Sequence, residues 1–182
     1  VAYSGSRLMA VGIGGITTTS TDGINWTPGN IGTGDALNGV AFAFGRFHAV
    51  SGTNGRVYST VDGTTWTSVP SSANSLRTIA FGGSPGRLVA VGSGGKISTS
   101  TDGLNWTDAV SGVSATLIGV DYAHDRFVAT GTSGTILTSP DGQTWTAGPE
   151  DAEGKGRIRF SAPAVGPVGL MAVATDKAGN AG

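Results

Sequence analysis

Ser20-Thr21-Asp22-Gly23-Ile24-Asn25-Trp26-Thr27 is a phrase that the chain repeats three more times, as Thr60-Val61-Asp62-Gly63-Thr64-Thr65-Trp66-Thr67, Ser100-Thr101-Asp102-Gly103-Leu104-Asn105-Trp106-Thr107 and Ser139-Pro140-Asp141-Gly142-Gln143-Thr144-Trp145-Thr146. The aspartates step by 40, 40 and 39 residues, and the tryptophans keep the same steps. A fixed period of about 40 residues marks an array of one supersecondary unit, and strand-like content makes that unit a propeller blade rather than a helical repeat. Any residue inside the repeat is therefore read first as part of the blade.

Laid over one another, the copies resolve four strands. The first reads Leu-x-x-Val/Ile-x-Phe/Tyr: Leu37, Val40, Phe42; Leu76, Ile79, Phe81; Leu117, Val120, Tyr122; with Val1 and Tyr3 left of the first copy. The second begins at Arg7, Arg46, Arg87 or Arg126 and continues as Leu8 to Val11, Phe47 to Val50, Leu88 to Val91 and Phe127 to Thr130. Both are short β-branched and aromatic runs bounded by glycine. A glycine-rich turn suited to a tight hairpin leads to a third strand over residues 16–20, 56–60, 96–100 and 135–139. The Asp-Gly turn then leads into a fourth strand carrying the Trp. The predicted fold is all-β: a β-propeller of four-stranded antiparallel blades, four of them clear and a fifth incomplete.

Composition fits a loop-dense β domain, with Gly at 32 of 182 residues and only 13% charged side chains. A net charge of -1 argues against nucleic acid or anionic lipid as a partner, since both require a basic surface. No apolar run approaches the roughly 18 residues of a membrane span, so no membrane insertion is expected. The absence of cysteine rules out disulfides and thiolate metal sites without fixing a compartment. The chain opens on Val1 with no initiator Met and no signal-like stretch, which reads as a processed form or an excerpt.

The repeated phrase resembles the Asp-box repeat of bacterial neuraminidases and related propellers, Ser/Thr-x-Asp-x-Gly-x-Thr-Trp. The resemblance covers residues 1 to about 147. In all four copies Trp follows Asp by four residues where the family pattern has five, a shortened Asp-Gly-x-x-Trp form similar to one found in extracellular bacterial and viral repeat proteins. The resemblance implies that Asp22, Trp26, Asp62, Trp66, Asp102, Trp106, Asp141 and Trp145 form a folding device on the face away from any active site. Physical chemistry agrees: the Asp side chain accepts hydrogen bonds from its own turn, Gly supplies positive φ, and Trp fills the gap between strands. No metal or other cofactor is expected there.

Residues 1–147 are thus read as blades 1 to 4, and 148–156 as a polar loop. In 157–182, Ile158 and Phe160 repeat the first strand, and Leu170-Met171-Ala172-Val173 nearly copies Leu8-Met9-Ala10-Val11. No fifth Asp-Gly phrase follows. The segment is a two-stranded fifth blade, the start of blades beyond an excerpt, or a connector to another module. A bare sheet edge invites association, so 157–182 is expected to contact a further module or subunit.

Chemistry is sought in what the repeat leaves unexplained. Glu150 and Glu153 share one polar loop, and His48 and His124 sit at unrelated blade positions. The arginines outside the repeat are Arg56, Arg77, Arg157 and Arg159. Arg77, Arg157 and Arg159 lie in or beside first strands, which line a propeller's channel, where a carboxylate or sulfate site is conceivable. The ligand face is expected opposite the Asp-Gly turns, where the linkers are least repetitive, with Asp35, Asn38, Asn74 and Arg77 as binding candidates.

No catalytic residue is assigned. A family sialidase needs an arginine triad, an acid/base Asp, and a Tyr assisted by Glu; Arg157-Ile158-Arg159-Phe160 lies at the wrong end for the family's arginine motif. The expected function is a non-catalytic binding or structural module recognising a glycan or protein, as in adhesion, in an extracellular, cell-surface or virion setting. The alternatives are a sialidase-like glycoside hydrolase fragment and a purely structural subunit of a surface appendage or phage tail.

Overall fold

A computed structural model describes residues 1–71 and 75–148. They form four four-stranded antiparallel sheets, each built from four successive strands in chain order. Blade 1 comprises β1 (Ala2–Tyr3), β2 (Leu8–Val11), β3 (Ile16–Ser20) and β4 (Thr27–Asn30). Blade 2 comprises β5 (Leu37–Ala43), β6 (Arg46–Ser51), β7 (Arg56–Thr60) and β8 (Thr67–Pro70). Blade 3 comprises β9 (Leu76–Gly82), β10 (Arg87–Gly92), β11 (Ile97–Ser100) and β12 (Thr107–Ala109), and blade 4 β13 (Leu117–Ala123), β14 (Arg126–Gly131), β15 (Ile136–Ser139) and β16 (Thr146–Ala147). The 157–182 expectation lies outside the described residues.

The first strands β1, β5, β9 and β13 abut in succession, while the fourth strands are mostly exposed. First strands are therefore innermost and fourth strands outermost. Among the described residues β13 makes no comparable contact with β1, so the four blades form an arc. Strand polarity places the β3–β4 class of turn, which carries each Asp-Gly, together with the β1–β2 class on one face. The β2–β3 turns and the linkers between blades share the other.

The core lies between blades, as three clusters. One joins blades 1 and 2 through Met9, Leu37, Val40 and Phe47, with Trp66 packed against it. The next joins blades 2 and 3 through Val50, Val57, Leu76 and Leu88, with Trp106 against it. The last joins blades 3 and 4 through Val89, Ile97, Leu117 and Phe127, and includes Trp145. Trp66, Trp106 and Trp145 thus each seal their blade onto the preceding one, rather than filling a gap within their own sheet. Trp26, on the blade that has no described predecessor, is 38% exposed, whereas Trp145 is 8% exposed.

A second register runs through the same interfaces. A β-carbon added at Gly63 would lie 3.3 Å from Met9 Cε, one at Gly103 would overlap the His48 imidazole, and one at Gly142 would lie 2.8 Å from Val89 Cγ2. Met9, His48 and Val89 are equivalent positions on second strands. All three glycines also have positive φ, so the turn needs glycine for both conformation and close approach.

Two third strands start one residue later than predicted, at Ile97 and Ile136, because the preceding residue closes a short 3-10 turn.

Candidate functional site

In the first Asp-Gly turn Asp22 Oδ1 accepts the backbone N–H groups of Ile24 and Asn25, each at 2.8 Å, and the Ser20 hydroxyl at 3.0 Å. Asn25 Nδ2 donates to Oδ2 at 2.7 Å. The pattern repeats at Asp102, again with an Asn105 side-chain bond at 2.7 Å. At Asp62 and Asp141 it repeats with Thr65 and Thr144 in the Asn position, and the Oδ1 bonds remain. These bonds hold all four carboxyls below the ordinary carboxylate range; the largest cause is the Asn25 side chain at Asp22, and the backbone N–H of Thr64, Asn105 and Thr144 at the others. Three of the four indoles donate Nε1–H to the turn glycine's carbonyl: Trp26 to Gly23, Trp106 to Gly103 and Trp145 to Gly142. Trp66 Nε1 is buried without such a bond.

The carboxylates' main acceptor positions are thus occupied by their own turns. Among the described residues no group of three His, Asp or Glu side chains is placed to hold a metal. On this face a cleft between blades 1 and 2 is lined by Ser4, Arg7, Phe47 and Asp62. Arg7 donates to the Asp62 carbonyl across it, so the cation serves the blade interface. Phe44 and Phe81, both exposed, meet edge to face at 5.3 Å.

The opposite face places the other candidates. Asp35 is 8% exposed. It accepts Asn54 Nδ2 at 2.7 Å and the Tyr58 hydroxyl, so it anchors the linker to β7 instead of facing solvent. Burial, then the Asp35 carboxylate, pushes the Tyr58 phenol up. Asn38 sits at the start of β5 and donates to the Leu76 carbonyl of β9 at 2.8 Å. Arg77, next to Leu76, is exposed on β9. Asn74 lies outside the described residues.

Asn38 and Arg77 occupy the same structural position. In β5 Leu37 pairs with Ser51 and Gly39 with Val50, leaving Asn38 as the extra residue of a β-bulge. In β9 the extra residue is Arg77, and in β13 it is Ile118. Bulges re-aim side chains and occur often beside functional sites. β5 lies between β1 and β9, and β9 between β5 and β13, while β13 has a described inner-strand neighbour on one side only. The structure thus brings Asn38, Arg77 and Ile118 onto three adjacent inner strands. Ile118, 56% exposed, was not among the sequence candidates; its signal was the Leu-x-x-Val spacing, since two residues facing one blade across an odd interval require an extra residue.

A family model described as the DUF6242 beta propeller domain matches residues 5–117. No curated protein matches the chain by sequence. Among solved structures, YCF48 bound to D1 peptide is similar with a TM-score of 0.64 and 22% identity, covering 80% of this chain and 52% of that one. Virginiamycin B lyase from Staphylococcus aureus is similar with a TM-score of 0.67 and 12% identity, covering 75% of this chain and 49% of that one. A chain of the nidogen/laminin complex is similar with a TM-score of 0.61 and 11% identity, covering 75% of this chain and 57% of that one. The chain therefore spans about half the length of these structures, and identities this low show the fold alone.

Proposed function

The chain belongs to the family of the DUF6242 beta propeller domain, and on that premise we propose that it is a non-catalytic binding module taking a protein partner at the channel mouth opposite its Asp-Gly turns. The observation that carries this reading is the row of bulges at Asn38, Arg77 and Ile118. They leave Arg77 and Ile118 exposed on adjacent inner strands, while Asn38 ties β5 to the Leu76 carbonyl of β9, on a scaffold that is otherwise repetitive. YCF48 with its D1 peptide, and the nidogen/laminin complex, support a peptide or protein partner over a glycan. The turns are taken as Asp boxes in the shortened form, with a folding role, and that likeness favours an extracellular, cell-surface or virion setting.

The non-catalytic reading rests on the carboxylates. Asp22, Asp62, Asp102 and Asp141 are engaged by their turns, Asp35 is buried and Asp108 pairs with Lys96 at 3.4 Å. Each of three surface clefts is lined by a single carboxylate, Asp62 in two and Asp108 in the third, where glycoside hydrolysis requires a facing pair.

The test is selection from a displayed peptide library on the immobilised 182-residue chain. Enriched peptides are then assayed against Ile118→Ser at the mouth and Leu104→Ser on the turn side. Loss confined to Ile118→Ser is the expected result. No enrichment over a denatured-chain control, or loss confined to Leu104→Ser, contradicts the proposal.

A further inference from the structure

We infer that Arg77 is a carboxylate anchor and Ile118 the adjoining aliphatic contact, so that the channel mouth recognises a peptide carboxylate flanked by an apolar side chain. This rests on the binding reading above and names its chemistry.

Three observations converge. Arg77 and Asp121 are the two charged residues on the four inner strands, and they differ in placement. Asp121 lies three residues further along β13 than the bulge, with its carboxylate accepting the Tyr122 N–H at 2.8 Å. Arg77 is itself the bulged residue, and the ion pair recorded among the described residues joins Lys96 to Asp108, not to it. The mouth therefore carries a cation on a chain whose net charge is -1, a local feature rather than part of a basic surface.

The cation is held on a rigid element. Asn38 ties β5 to the Leu76 carbonyl immediately before Arg77, and Gly39 packs its backbone against Thr78 and Ile79, 3.0 Å and 3.3 Å from where a β-carbon would sit. The base of Arg77 is thereby fixed, and only its side chain has freedom to lose on binding. A guanidinium presents paired N–H donors that match a carboxylate in plane.

Ile118 supplies the second half. It sits at the equivalent bulge of the next inner strand, exposed, where blade 2 has a polar Asn. A free ion needs no apolar neighbour beside its cation. A peptide does, because the side chain beside its carboxylate must be placed.

A carboxylate on a peptide comes from the C-terminus or from Asp or Glu, and the experiment separates them. Binding of three hexapeptide probes to the full chain is measured by calorimetry: one ending in leucine with a free carboxyl, its C-terminal amide, and the amide with glutamate before the leucine. Expected is binding of a carboxylate-bearing probe that weakens about tenfold or more in Arg77→Gln, the scale of a lost charge-assisted bond. It should weaken also in Ile118→Ser, be unchanged in Arg56→Gln on the outer part of blade 2, and fall with added salt. Free acid alone assigns the C-terminus, and the glutamate probe alone assigns a side chain. Equal binding of the plain amide, no binding by any probe, or full affinity in a folded Arg77→Gln overturns the inference. A library peptide that maps to the mouth yet ignores Arg77→Gln leaves the binding proposal standing and overturns only this one.

Discussion

Gly103, in the third Asp-Gly turn, lies against the imidazole of His48 in the preceding blade, so closely that a β-carbon on Gly103 would occupy the ring's space. His48 donates Nε2–H to the Ala43 carbonyl at 3.2 Å and its Nδ1 pairs with Ser59 Oγ at 2.8 Å, so it is unable to move aside cheaply. The pair shows how this fold transmits register: turn of one blade onto second strand of the last.

Gly103→Ala and Gly23→Ala separate conformation from packing. Both glycines have positive φ, 75° and 76°, but Gly23 faces only Leu8 Cδ1 at 3.5 Å. Gly23→Ala is expected to cost about 1–2 kcal/mol for the left-handed backbone. Gly103→Ala should add roughly 1–3 kcal/mol of overpacking. Urea titration of both variants checks this, and equal midpoints would show that the His48 contact carries no energy.

Burial lowers the His48 pKa, so the folded state binds fewer protons than the unfolded one. Its neutral form is favoured by folding, and stability should fall as pH drops below about 6.5. The turn aspartates, with lowered pKa values, contribute stability that is present above about 4 and lost only at lower pH. The double variant His48→Val with Ser59→Thr imports the Val89 and Thr99 pairing of blade 3. Melting temperatures between pH 7.5 and 5 should decline in the parent and stay flatter in the double variant. An identical decline would place the titrating group elsewhere.

The tryptophans should rank by what covers them. Trp145→Ala is expected to cost roughly 3–5 kcal/mol, the range for a deleted buried aromatic, and Trp26→Ala the least of the four. Trp66 and Trp106, half-buried at interior interfaces, fall between. Thermal unfolding of the four variants gives the order, and a uniform loss would mean the indoles stabilise their own turns rather than the blade interfaces.

Much of the fold was legible because each repeat carries its own boundaries: Asp62-Gly63 fixes a turn by hydrogen bonding and φ, and Val57 to Thr60 reads as a strand wherever it is met. What depends on the neighbouring blade was not legible. Trp26 and Trp145 share the Asp-Gly-x-x-Trp-Thr phrase yet differ in burial, because burial is set by the blade before. Asp35 has the sequence context of a loop carboxylate, but Tyr58 and Asn54, about twenty residues away, enclose it. The bulges at Asn38, Arg77 and Ile118 were half visible, as an odd spacing whose geometric meaning appears only once the strands are paired.

Adding calcium or a chelator should leave the melting temperature unchanged, since Asp22 and Asp102 have both carboxylate oxygens engaged by protein donors. Asp102→Ala should lower it more than Asp62→Ala, which gives up no Asn bond. A chelator-induced drop of several degrees would mean that the turns hold a cation.

The most direct measurement is hydrogen exchange of the full chain with and without a library-selected peptide. The account predicts added protection around 37–39, 76–78 and 117–119, and none at the turns 22–26, 62–66, 102–106 and 141–145. Protection confined to those turns, or spread evenly over both faces, would contradict a binding site at the channel mouth.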